Sequence, residues 1–175
     1  MAGIELPVLE PSKTFDPAKA DQLYKKFWEY LQAANVVDPK QERKDLITWR
    51  RGSAQLAMKI NLALNNASIY SVLVASVTPS EALFRHLLAY NVLQRRESLG
   101  LIEKEGKTFI VLKYTLELEL VTQEALQRHV YAMQEIADAL DTELVKKFGG
   151  TLHFDDWVKM DQKGVDDMMD NLFGG

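Results

Sequence analysis

LGLIEKEGKTFIVLKYTLEL, residues 99–118, encodes two strands and the turn between them. From Lys107 onward, Ile110, Leu112, Tyr114, Leu116 and Leu118 occupy alternate positions, and Leu120 continues the series. A period of two belongs to a strand, because successive side chains point to opposite faces. The intervening positions begin apolar, with Phe109 and Val111, and end charged, with Glu117 and Glu119. The spacing therefore predicts a strand over 107–120, covered on both faces at one end and wet at the other. Glu105-Gly106 turns the chain back onto a partner strand, 99–104.

Downstream lies a long helix. Leu126, Val130, Met133, Ala137, Leu140 and Leu144 follow alternating spacings of four and three, a single apolar seam. Thr122 is placed to cap its first turn, with Val121 stapled against Leu126, and Gly149-Gly150 ends it. Upstream, Thr78-Pro79-Ser80-Glu81 reads as a capping box with Thr78 as the cap. It opens a helix whose face is Leu83, Phe84, Leu87, Leu88 and Asn91. Three further strands precede that helix, at 44–51, 54–64 and 67–77. In the second, Ala54, Leu56, Met58, Ile60, Leu62 and Leu64 share one face, which is expected to be its only buried one. Asn65-Asn66 tolerates positive φ and suits a tight hairpin. The third is β-branched and apolar on both sides.

Asp16-Pro17 starts the first helix, with the apolar positions Tyr24, Phe27, Trp28 and Leu31 spaced as one face to about Ala34. Residues 35–43 read as a polar connection, and residues 1–15 as an extended arm containing Pro7 and Pro11. The expected fold is thus α+β, in the order α-β-β-β-α-β-β-α. It is an antiparallel sheet of about five strands with helices packed on it.

In this order, PSEALFRHLLAYN (79–91), LGLIEKEGKTFIVLKYTLEL (99–118) and LVTQEALQRHVYAMQEIADALDTEL (120–144) resemble the YbjN-like bacterial proteins of the type III secretion chaperone-like fold. Residues 17–77 resemble them in element order only. The resemblance implies a small, acidic, non-enzymatic protein that binds a segment of another protein in a chaperone-like way. It also implies a homodimer paired through a helix or a strand edge. It carries over no catalytic residue and no cofactor.

Composition narrows the function classes. The chain has 175 residues, 47% hydrophobic and 26% charged, enough for one domain with a full core. It has no cysteine, which excludes disulfides, thiol catalysis and cysteine-ligated metal. A cysteine-free chain fits the cytoplasm. Its first residues are not a secretory signal, and no run is long and apolar enough to span a membrane.

The net charge of −4 is concentrated at one end. Residues 151–175 hold Asp155, Asp156, Asp161, Asp166, Asp167 and Asp170 against Lys159 and Lys163, which leaves 19 basic and 19 acidic residues before them. A neutral body with an acidic tail is not built for phosphate backbones, so nucleic acid is not an expected partner.

No phosphate-binding glycine loop, nucleophile elbow or zinc-binding histidine pair occurs. His86, His129 and His153 read as surface or structural groups, and Arg50-Arg51 and Arg95-Arg96 as solvated charge. The acidic pairs lack calcium-loop spacing, so no metal site is expected.

The tail carries the sharper signal. Val165, Met168, Met169, Leu172 and Phe173 line one helical side, with Asp166, Asp167 and Asp170 on the other. Trp157, Met168, Met169, Leu172 and Phe173 are the candidate partner-binding residues, since Met and aromatic contacts adapt to varied surfaces. The tail either packs back on its own domain or docks on a partner. An acidic helix is a poor membrane binder. The expected domain runs 16–150 and the tail 151–175. The alternative function is a small-ligand sensor or enzyme with a pocket between sheet and helices.

Overall fold

The computed structural model describes residues 17–93, 96–104 and 106–152. Along them run α1 (Pro17–Ala33), β1 (Val37–Arg43), β2 (Leu46–Arg51), β3 (Ala54–Asn61), β4 (Asn66–Ala75), α2 (Glu81–Leu93), β5 (Glu97–Lys104), β6 (Lys107–Glu117), α3 (Gln123–Phe148) and β7 (Thr151–Leu152). A 3-10 turn, Leu118–Leu120, joins β6 to α3. The strands form one antiparallel sheet in the order β1-β2-β3-β4-β6-β5, with β7 beside the end of β4. This is the α+β architecture expected from the sequence, with seven strands instead of about five.

The alternating positions build the core. Leu56, Met58 and Ile60 of β3, Ile69 of β4 and Ile110, Leu112 and Tyr114 of β6 lie on one face of the sheet. Phe27 and Leu31 of α1, Leu83 and Leu87 of α2, and the α3 seam from Leu126 to Leu144 close over it. Within that seam Leu140 is half-buried, and Asp141 takes a fully buried place one residue on.

A bulge in β4 lets the strand serve both faces. Val72 pairs with Val111 and Val74 with Ile110, so one residue is gained on β4. Leu73 and Val74 both join the helix-side core, and Ala75 returns to the opposite side.

Several expectations need correction. Residues 37–43 are the edge strand β1, although Asp38 has φ of +45° and Pro39 follows. Its pairing to β2 is irregular and its side chains are mostly exposed, as suits a blunted sheet edge. β3 stops at Asn61, short of the expected Leu64, because the Asn61 side chain accepts a hydrogen bond from the Leu64 N–H at 3.0 Å. Its odd face is also buried at Ala57 and Lys59. Ser80 caps α2 in place of Thr78: its hydroxyl accepts from the Leu83 N–H at 3.2 Å. β6 ends at Glu117, where the Leu118 N–H turns to the Asn65 carbonyl.

Other features match. Asn65 has φ of +51°, Thr122 accepts from the Ala125 N–H at 3.2 Å, and Gly149 closes α3 onto the Val145 carbonyl. The Asp16 cap and the arm at 1–15 lie outside the described residues.

Candidate functional site

The sheet face turned away from the helices holds a second apolar cluster. Leu46 of β2, Ala57 of β3, Tyr70, Val72 and Ala75 of β4, and Phe109 and Val111 of β6 are all at most 5% exposed, with Ile102 of β5 packed against them. α1, α2 and α3 contribute nothing to it.

The strand register sets the polar surroundings of this strip. Lys40 stands opposite Thr48, Arg50 opposite Gln55, Lys59 opposite Leu46 and Lys113 opposite Tyr70, all on the same face. Lys107 lies at the end of β6, two residues before Phe109. Burial pulls the Lys113 ammonium below its ordinary pKa. Acidic groups are fewer: Glu42 accepts a hydrogen bond from Thr48 at 3.1 Å, and Glu117 stands at the far end opposite Asn66. The face is therefore an apolar strip with a basic border.

A different surface lies on α2. Leu83 and Leu87 are buried, but Phe84, Leu88 and Val92 form an exposed stripe, reaching 85% exposure at Val92. Asn91 anchors this helix to β5: its amide donates to the Leu99 carbonyl at 2.9 Å and accepts from the Leu99 N–H at 2.7 Å.

His129, His86 and Arg51 serve the fold. His129 stacks on the Tyr114 ring at 4.4 Å and meets its hydroxyl at 3.2 Å. Its pKa is held below the usual imidazole value, by burial first and by Arg96 and Arg128 next. His86 sits 3.0 Å from the Lys147 Nζ and packs on Phe148. Arg51 is bound to Glu135 at 2.8 Å, and the neighbouring Ser53 hydroxyl donates to Asp141 at 2.6 Å. These contacts pin the β2–β3 turn to α3. Among the described residues no group of three or more acidic or histidine side chains is placed to hold a metal. No described helix is long and apolar enough to cross a membrane.

The sequence candidates Trp157, Met168, Met169, Leu172 and Phe173 lie outside the described residues, as do His153, Arg95 and the tail aspartates. The sequence reading did not find the helix-free strip as a site. Its signals were present in the apolar start of the second face of β6 and the two-sided character of β4.

Residues 21–156 match the family described as T3SS (YopN, CesT) and YbjN peptide-binding chaperone 1, or TY-Chap1. The chain belongs to this family. Solved structures show the same fold at low identity. A chain of the HopA1–SchA chaperone–effector complex is 13% identical, with a TM-score of 0.54 over 69% of this chain and 94% of that one. YbjN from E. coli is 15% identical, with a TM-score of 0.56 over 70% and 91%. A chain of the ExsC–ExsE complex is 13% identical, with a TM-score of 0.52 over 74% and 96%. No curated protein matches the sequence. The TY-Chap1 match spans every described strand and helix except the start of α1, so the helix-free strip lies within it.

Proposed function

We propose that this protein is a non-enzymatic, cytoplasmic, peptide-binding chaperone that receives an amphipathic, acid-flanked segment of a partner protein on the helix-free face of its sheet. The observation that carries this reading is the strip from Leu46 to Phe109 bordered by Lys40, Arg50, Lys59 and Lys113. Apolar contact supplies affinity with little demand on sequence, and the basic border selects acidic flanks. Membership in a family of peptide-binding chaperones supports it, as does the likeness to two complexes. The alternative, a ligand pocket between sheet and helices, has less behind it. Among the described residues that layer is filled by side chains such as Leu56, Met58, Ile69 and Met133, all at 0% exposure.

A peptide array probed with the full chain tests the reading. Acid-flanked amphipathic peptides are expected to be captured over base-flanked ones, and K59E/K113E is expected to reverse that preference. Indifference to flanking charge in both proteins would sink the proposal.

The exposed stripe Phe84, Leu88 and Val92 favours a second copy of this chain as a further partner, docked helix to helix. Light scattering is expected to give twice the 19.9 kDa chain mass, and L88D the monomer. A monomeric natural chain would reject the dimer.

A further inference from the structure

We propose that the acidic C-terminal segment, residues 153–175, lies across the helix-free face of its own sheet. Its apolar side covers the Leu46–Phe109 strip, and its aspartates stand among the basic border. It thereby occupies the place where a partner segment would bind, and to that extent the inference rests on the function proposed above.

Four observations lead here. The first is burial. Leu46, Ala57, Tyr70 and Phe109 are 0%, 2%, 1% and 1% exposed, yet the cluster draws no residue from any described helix. A sheet face buries large side chains this fully only beneath another layer.

The second is charge. Among the described residues, Lys40, Arg50, Lys59, Lys107 and Lys113 border the face, with Arg43, paired to Asp45, beside Leu46, and the register places Glu42 and Glu117 there as acidic groups. Residues 153–175 carry six Asp and two Lys.

The third is pattern. Val165, Met168, Met169, Leu172 and Phe173 share one helical side and Asp166, Asp167 and Asp170 the other, the complement of an apolar strip with a basic border. Residues 1–16 have Pro7 and Pro11 and no such period.

The fourth is where the segment starts. Leu152 pairs with Val74, and Thr151 with Ala75, itself a member of the strip. The chain therefore leaves the described residues at the rim of the face. As a helix, its 23 residues would reach ~35 Å at ~1.5 Å each. Six strands at ~4.8 Å spacing span only ~24 Å.

Zero-length carbodiimide cross-linking of the full chain, read by mass spectrometry, tests the placement. An equal mixture of isotopically heavy and light chains separates links within a chain from links between chains. The expected links join Lys40, Lys59, Lys107 or Lys113 to Asp155–Asp170 of the same chain, and M168D/F173D loses most of them. Links from these lysines to Glu5, Glu10 or Asp16 would make the N-terminal arm the occupant and overturn the proposal. Links only between heavy and light chains would make it a second copy, with the same result.

A second measurement separates this inference from the function it rests on. A labelled synthetic peptide of residues 153–175 is titrated into the natural chain and into full-length M168D/F173D. The variant is expected to bind it about tenfold more tightly, because its face is vacated. Equal, measurable affinities would overturn the self-occupied face and leave the peptide-binding reading standing. No binding to either protein, with the internal cross-links intact, would uphold the docked tail and remove the partner reading.

Discussion

One sheet offers two buried faces that are built differently. On the helix side, Phe27, Leu31, Leu56, Ile69, Leu112 and Leu126 are all fully buried, and strands and helices contribute alike. On the other side burial is as deep at Tyr70 and Phe109, but every member of the cluster comes from a strand. Polar groups are interspersed there, with Lys59, Thr48 and Ser68 each under 10% exposed. Matched apolar seams fix the first layer permanently. On the docking proposed above, a short apolar strip with a charged border would exchange its cover, because the segment on it gains little by staying.

The largest expected effect tests the permanent face. Phe27→Ala should cost about 3–5 kcal/mol, since the rigid surroundings cannot close the cavity. Phe109→Ala, equally buried on the other face, should cost only about 2 kcal/mol, near the transfer value alone, because its cover can settle. Urea melts of the two full-length variants decide it. Equal losses would show that both faces are rigid core and erase the comparison.

Gly150→Ala should have a smaller effect, about 1 kcal/mol or slightly more. Gly150 has φ of +88°, and a Cβ there would stand 2.6 Å from Val74 Cγ1 and 2.7 Å from the Ala75 carbonyl oxygen. Hydrogen exchange at Leu152 should quicken as β7 loosens from β4. Gly100→Ala, with nothing near its would-be Cβ, is the neutral control. Unchanged exchange in G150A would mean that β7 is not held by this close approach.

The smallest effect concerns His129. Its imidazole pKa is lowered in the folded chain, so the unfolded chain takes up the proton first as pH falls. The stability linked to this group is present above the ordinary imidazole value of ~6.5 and declines as pH drops from there toward the folded pKa. His129→Gln should flatten that part of the stability–pH curve. An unaltered curve would assign the slope elsewhere.

The strand alternation over 107–117, the Thr122 cap, the α3 seam and the turn at Asn65 were legible because each depends on residues a few positions apart. Phe109 and Val111 even announced the second buried face. β1 was not legible: Val37–Arg43 is polar and contains Pro39, and only pairing with β2 makes it a strand. β7 is two residues long and exists only beside the end of β4. The α2 cap moved to Ser80 because the chain before it is held elsewhere, with the Val77 N–H on the Thr108 carbonyl.

The α+β class, the types of the elements other than β1 and β7, and the segregation of acidic charge into residues 151–175 were thus written in the chain. These follow from local periodicity, capping chemistry and composition. Only the tertiary structure decided which alternating face met the helices. It alone brought Lys40, Arg50, Lys59 and Lys113 from four strands to the border of one strip. It also left Phe84, Leu88 and Val92 exposed while burying Leu83 and Leu87 of the same helix. Side chains far apart in the chain become neighbours through strand order and register, and neither is written in any one segment.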